Sequence, residues 1–179
     1  MDRDIRVSFP ETRVINISQA GDELGGDENP VGGIFVPLRG GIRGAMLMVL
    51  PEKELLEFSD LIMRRKPGTT TRITEEESSG LMEMGNILTA SFINAMADET
   101  GLSISLDVPE MRVDMCLSVI DNVLAGFNQP GERIILTQAE LYFSDQEQAV
   151  CYMLLFLDVE SMEVMSRALS GMRNNESAA

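Results

Sequence analysis

An α+β fold, built as an internally duplicated antiparallel sheet with long helices packed on it, is predicted by three features of this 179-residue sequence. Two apolar hairpins occur, each ending in an amphipathic helix. The letters of one hairpin and its helix lie over those of the other at a fixed offset. Between the two units runs one long amphipathic helix, Thr74 to Gly101, on which the rest of the chain is arranged.

The elements follow in order. Arg6 to Ile17 is rich in β-formers and broken at Pro10, and an acidic, Gly-rich loop is expected from Gly21 to Pro30. Val31 to Leu38 and Ile42 to Leu50 flank Arg39, Gly40 and Gly41, a glycine turn between apolar runs and hence a hairpin. No G-K-[ST] accompanies those glycines, so turn chemistry explains them better than a phosphate cradle. Glu52 to Met63 reads as a helix with Leu55, Phe58 and Ile62 inward, and Met63 to Arg72 as a basic linker. After the long helix come a strand, Leu102 to Val108, and a helix capped by Asp114 and running to Phe127. A second hairpin, Arg133 to Phe143 and Ala149 to Leu157, turns across Ser144 to Gln148. A closing helix follows, Val159 to Met172, with Met162, Met165 and Leu169 inward. Residues 173–179 are expected as a disordered tail of a single domain, 1–172, whose halves are 1–63 and 74–172.

The ends of the long helix are marked in the sequence. Thr74 with Glu77 forms a capping box, Glu75 to Glu77 put negative charge at the positive end of the helix dipole, and Gly101 supplies a left-handed closing residue. Stepping about 100° per residue gathers Leu81, Met84, Leu88, Phe92 and Ala95, with Ser91 among them, on a core-facing arc. The opposite arc collects Ser79, Glu83, Asn86, Ala90 and Ala97. It is polar where chemistry could occur and flat where a partner could approach. Gly80 and Gly85 each cost about 1 kcal/mol against Ala inside a helix, and close packing of a neighbour explains Gly85, which borders the apolar arc.

The repeat is visible letter by letter. Gly44 to Ile62 lies over Cys151 to Leu169 at an offset of 107 with apolar positions matched. P-E-T-R-V, from Pro10 to Val14, lies over P-E-M-R-V, from Pro109 to Val113, at an offset of 99.

Composition removes several function classes. A net charge of -15, from 14 Lys and Arg against 29 Asp and Glu, repels nucleic-acid backbones and anionic lipid surfaces. No apolar run approaches the length of a membrane span, and M-D-R-D-I-R lacks the apolar stretch of a signal peptide, so a cytoplasmic location is expected. The sequence contains no His, which removes Ser-His triads, His phosphotransfer and the commonest metal ligand together. Cys116 and Cys151 lie on apolar patterns without metal-site spacing and read as two buried, reduced thiols rather than a disulfide. The 13 methionines mostly fall on inward positions and serve as core filler.

Ser79, three residues, Glu83, two residues, Asn86, twenty-two residues, Pro109 resembles the signature of the CheC/CheX/FliY family of phosphatases, which dephosphorylate the chemotaxis response regulator CheY. Such a match arises by chance in about one chain of this length in several hundred. The flanking M-G-N-I-L is similar to the family's second active-site helix, and the internal duplication is similar to its CheC branch. The resemblance implies a CheC-like, pseudo-two-fold fold and a protein aspartyl-phosphate phosphatase. In that reading Asn86 orients the attacking water, Glu83 contacts the regulator's Lys, Ser79 shapes docking and Pro109 is structural, while the wheel alone assigns small Ala90 to keeping the face open for the partner. It implies no cofactor of the chain's own, because Mg²⁺ arrives with the phosphorylated regulator. The carboxamide needs no general base for this task, as with the water-orienting Gln of GTPases.

An Asn belonging with Pro10 would fall before Met1, so the first of the two active-site helices of CheC proteins is not in this sequence. That absence leaves a second reading open, an adaptor with little turnover that binds CheY or the receptor deamidase CheD. It also leads to an expectation about assembly. The sheet beside Val31 to Leu50 should lack its covering helix and be closed by a second copy in a two-fold dimer, the alternative being that Met1 to Ile17 folds over it.

Overall fold

The computed structural model describes residues 6–143 and 148–176. Seven strands form one antiparallel sheet: β1 (Arg6–Asn16), β2 (Pro30–Gly40), β3 (Gly44–Pro51), β4 (Ile104–Leu106), β5 (Glu110–Met115), β6 (Arg133–Tyr142) and β7 (Gln148–Leu157). Their order is β1, β6, β7, β3, β2, with β4 and β5 both pairing the outer side of β2. Five helices join them: α1 (Ala20–Glu23), α2 (Glu52–Ile62), α3 (Glu75–Thr100), α4 (Cys116–Leu124) and α5 (Val159–Glu176).

Alternation along the central strands sends side chains to two cores. Met46 and Met48 on β3, with Met153 and Leu155 on β7, belong to one core, which α2, α3 and α5 cover. Leu47 and Val49, with Leu154 and Phe156, belong to the other, under α4 and α1. Cys151 lies in the first core and Cys116 in the second, so the sheet itself separates the two free thiols. Burial pushes both thiols up, Cys116 to about 11 and Cys151 to about 12, and Asp27 adds to the shift at Cys116.

The offset seen in the letters reappears in the register. Leu47 pairs with Leu154, its counterpart 107 positions on, as a local two-fold axis between β3 and β7 requires. The outer strands are exchanged across that axis: β1 pairs with β6, and β5 with β2. Both outer strands are bulged at the repeated proline. Between Ser8↔Glu140 and Glu11↔Gln138, Phe9 and Pro10 face Ala139 alone. On the other edge the Asp107 N–H donates to the Pro37 carbonyl at 2.9 Å and Glu110 pairs with Phe35, so Val108 and Pro109 face Val36 alone. A bulge suits an edge proline, which has no N–H to give to a ladder.

Strand exchange overturns one expectation. The sheet beside Val31 to Leu50 is not bare, because α3, which leads into the second half's edge strand, lies over β2 of the first half. Ile34, Leu38, Met46, Met48 and Leu50 are at most 1% exposed, so this face offers no open apolar surface to a second copy. A Cβ on Gly85 would lie 2.7 Å from Ile34 Cγ2, and this bare position is what lets the helix sit so low.

Other boundaries differ in instructive ways. Gly21 to Pro30 is not wholly loop, since a 3-10 turn (Ile17–Gln19) and α1 open it. Asp114 lies on β5, and Met115 occupies the position before α4. The alternation Glu110, Met111, Arg112, Val113 is a strand pattern that the nearby Asp114 obscures. Helix α5 continues through Arg173 to Glu176, where a tail was expected. Residues 144–147 of the second turn, the Leu169 side chain and residues 177–179 of the tail lie outside the described residues.

Candidate active site on the long helix

Helix α3 is fixed at both ends before it presents anything. The capping box is complete: the Thr74 N–H donates to Glu77 Oε2 at 2.9 Å, and the Glu77 N–H in turn meets the Thr74 side chain. Gly101 closes the helix with φ of 70°. Glu77 is only 4% exposed. Hydrogen bonds from the Thr74 hydroxyl and the Arg65 guanidinium hold its carboxyl down at about 2. The basic stretch before the helix is a clamp rather than a loose linker. Burial of Asp60 works to raise its pKa, but donation from the Thr70 hydroxyl at 2.6 Å and the Thr70 and Thr69 N–H groups at 2.8 and 3.0 Å outweighs it, leaving the carboxyl below its ordinary value.

The buried side of α3 comprises Leu81, Met84, Gly85, Leu88, Thr89, Phe92 and Ile93. This is the expected arc rolled about the helix axis until Gly85 lies inside it. The roll brings in Ile93 and turns out Ala95 and Ser91, two residues expected inward. Ser91 uses its exposure to donate to the Ile87 carbonyl at 2.9 Å.

The opposite side carries the motif. Ser79 and Glu83 are exposed, and Asn86, Ala90 and Ala97 are half-buried. Among the described residues, neither Glu83 nor Asn86 has a side-chain hydrogen bond or salt bridge within the chain. A carboxylate and a carboxamide one helical turn apart are thus left with their full hydrogen-bonding capacity toward a partner.

Pro109 comes to this face through the edge strand. Ser78 Oγ donates to Met111 Sδ at 3.5 Å near the start of α3, and Gly101 at its end leads directly into Ile104. The helix therefore runs back along the edge from Met111 to Ile104. At about 1.5 Å per helix residue and about 3.3 Å per strand residue, Asn86 lies about 12 Å along α3 from Ser78 and the bulge of Val108 and Pro109 about 7 Å along the edge from Met111, within about one helical turn of each other. Asn86 also shares the flank of Ser78 and Met82, the one turned toward that edge. The fold thus gathers Ser79, Glu83, Asn86 and Ala90 on one helix face with Pro109 alongside.

A profile described as CheC, the CheC-like family, matches residues 76–111, which contain every one of these positions. The CheY-P phosphatase CheC of Bacillus subtilis is 29% identical over 172 residues, 94% of this chain and 82% of the relative. Over these residues the chain is similar to the CheC-like family. A putative CheY-P phosphatase, CheC1 of Halobacterium salinarum, is 23% identical over 169 residues, 93% of this chain and 83% of the relative. Among solved structures, FliY of Thermotoga maritima superposes with a TM-score of 0.69 at 16% identity, covering 95% of this chain and 84% of that one, and shares its fold.

What sequence reasoning missed in this CheC-like chain is apolar. Val108, next to Pro109, is 74% exposed, and Ile87, next to Asn86, and Val113, farther along β5, are about half exposed. Val108 reads as an ordinary strand end in the sequence. At the bulge of Val108 and Pro109 it lies on the helix side of the sheet but stays uncovered, and the signal for the bulge was the repeated proline.

Proposed function

We propose that this chain is a chemotaxis phosphatase that hydrolyses the phosphoaspartate of the response regulator CheY. The observation that carries the reading is the pairing of Asn86 with Glu83 on one accessible face of α3, both free of partners among the described residues. The names of the bacterial and archaeal relatives support the same reaction.

The chain's own residues have a limited task. An acyl phosphate is already activated, so what remains is to hold a water in line with phosphorus. The Asn86 carboxamide enters beside the phosphoryl group and orients that water by hydrogen bonding. The bond from water oxygen to phosphorus forms as the bond to the aspartyl oxygen breaks, giving the free carboxylate and inorganic phosphate. Glu83, one turn earlier, pairs with the regulator's lysine and sets the register of docking, while Ser79 and Ala90 keep the flanks small. The Mg²⁺ that neutralises the phosphoryl oxygens is bound to the regulator and comes as part of the substrate.

The decisive variant is Asn86→Ala. Truncating a half-buried polar side chain that makes no hydrogen bond among the described residues should leave the melting temperature nearly unchanged. Dephosphorylation of phosphorylated CheY should fall by on the order of 100-fold, the cost of losing position at the reacting centre. Wild-type turnover in this variant would refute the assignment.

A further inference from the structure

Two residues in equivalent places in the repeat have opposite surroundings. Phe9 and Val108 each precede the repeated proline and each occupy the bulge of an edge strand. Phe9 is half-buried and meets Phe92 of α3 edge to face, with ring centroids 5.3 Å apart. Val108 is 74% exposed, the most exposed of the large apolar residues described.

The direction of Val108 follows from the bulge. Leu106 and Met111 both pack into the core under α3, so they point to the helix side of the sheet. Alternation from Leu106 puts Val108 on that side, and alternation back from Met111 puts Pro109 there too. Both side chains of the bulge therefore rise on the side of the sheet that α3 covers, within about one helical turn of the level of Asn86. Pro109 is half-buried there, and Val108 stands clear of it.

We propose that Val108 is a docking and specificity residue for the phosphorylated receiver domain: its isopropyl group packs against an apolar side chain of that domain bordering the phosphoryl site. The inference rests on the phosphatase reading and adds to it an apolar contact beside the polar pair. An apolar side chain on the rim of a polar site excludes water from it and favours partners with a matching surface. The neighbourhood suits such a contact, because Val113 continues the apolar surface along the same side of β5. Val108 makes its contact equally in the ground and transition states, so it acts on binding and not on the chemical step.

The experiment compares wild type with Val108→Asp, Val108→Thr and Val108→Ile, using cognate CheY phosphorylated by a small-molecule donor. Steady-state dephosphorylation is measured together with affinity for beryllofluoride-treated CheY. Val108→Asp should raise KM and the beryllofluoride-complex Kd about tenfold while kcat stays within about twofold. The nearly isosteric Val108→Thr should raise both constants by a smaller factor, and Val108→Ile should match wild type. Should the aspartate disturb the edge strand and lower the melting temperature, the threonine variant carries the test. Unchanged KM and Kd in Val108→Thr and Val108→Asp, or a loss confined to kcat, overturns the role of Val108 and leaves the phosphatase reading standing. A wild-type protein that neither binds nor dephosphorylates CheY overturns both.

Discussion

The two edges of the sheet carry nearly the same five letters, P-E-T-R-V and P-E-M-R-V, and fold into the same bulged strand, yet one edge is packed and the other is left open beside the candidate site. On the β1 edge, Phe9 is held against Phe92. On the β5 edge, Ser78 reaches Met111 and Val108 is left open. Helix α3 touches both edges, the first near its end and the second near its start. Local sequence sets the backbone in both places, and what the helix lays over that backbone decides whether an apolar side chain becomes core or contact surface. On the proposed function, the difference between the two edges thus lies in the asymmetry of the covering layer rather than in the repeated strands.

That comparison breaks most sharply in stability. Phe9→Ala removes an aromatic pair and opens the seam between α3 and β1, and should cost about 2 kcal/mol, below the usual range for a fully buried Phe because Phe9 is only half-buried. Val108→Ala, at the equivalent position, should change stability by no more than about 0.5 kcal/mol. Chemical denaturation of the two variants checks this. Equal losses would mean that the two bulges are alike in packing, contrary to the contrast drawn here.

A smaller effect tests the seat of the helix on the sheet. At Gly85 an added methyl group meets Ile34, a stiff β-branched side chain with no exposure, at 2.7 Å. Overpacking of about 1–3 kcal/mol should outweigh the gain in helix propensity of about 1 kcal/mol, so Gly85→Ala is expected to destabilise by about 1 kcal/mol. At Gly80 the nearest atom is Met63 Sδ at 3.4 Å, in ordinary contact, and Gly80→Ala should stabilise by about 0.5 to 1 kcal/mol. Thermal melts with opposite signs for these two substitutions are the expected outcome.

Most local signals were read correctly, Asp114 as a helix cap and the loop at Gly21 excepted, and the non-local pairing was not. The capping box at Thr74 and Glu77, the closing Gly101 and both hairpins were legible because each depends on residues close in sequence. The site residues were legible as a pattern of spacing, and their exposure on α3 agrees with the helical wheel. The exchange of β1 and β5 between halves was not legible, since pairing β5 with β2 depends on contacts some 80 residues apart that no local pattern encodes. From that one omission followed the expectation of a bare sheet under Val31 to Leu50. The roll of α3 escaped for a related reason: a wheel ranks residues by hydrophobicity, whereas the helix settled around a glycine that could approach Ile34.

The smallest effect is expected at the start of α3, where the helix meets the β5 edge. Glu77 accepts from Thr74 and Arg65 and has its pKa lowered from the ordinary 4.5 to about 2. A carboxyl depressed on folding stabilises the native state at pH values above its unfolded pKa, and that contribution disappears as pH falls through the folded value. The window therefore runs from about 4.5 down to about 2. Glu77→Gln keeps an oxygen for the Thr74 N–H, and Arg65 keeps its contact with Glu76 at 3.3 Å, so the loss at neutral pH should be modest. Below pH 4.5 the wild type should lose its advantage progressively, and by about pH 2 the two proteins should melt together. Melting temperatures of both across that range check the sign. A gap that widened on acidification would mean that Glu77 is held protonated in the folded chain, and that the clamp on α3 is not the ion pair described here.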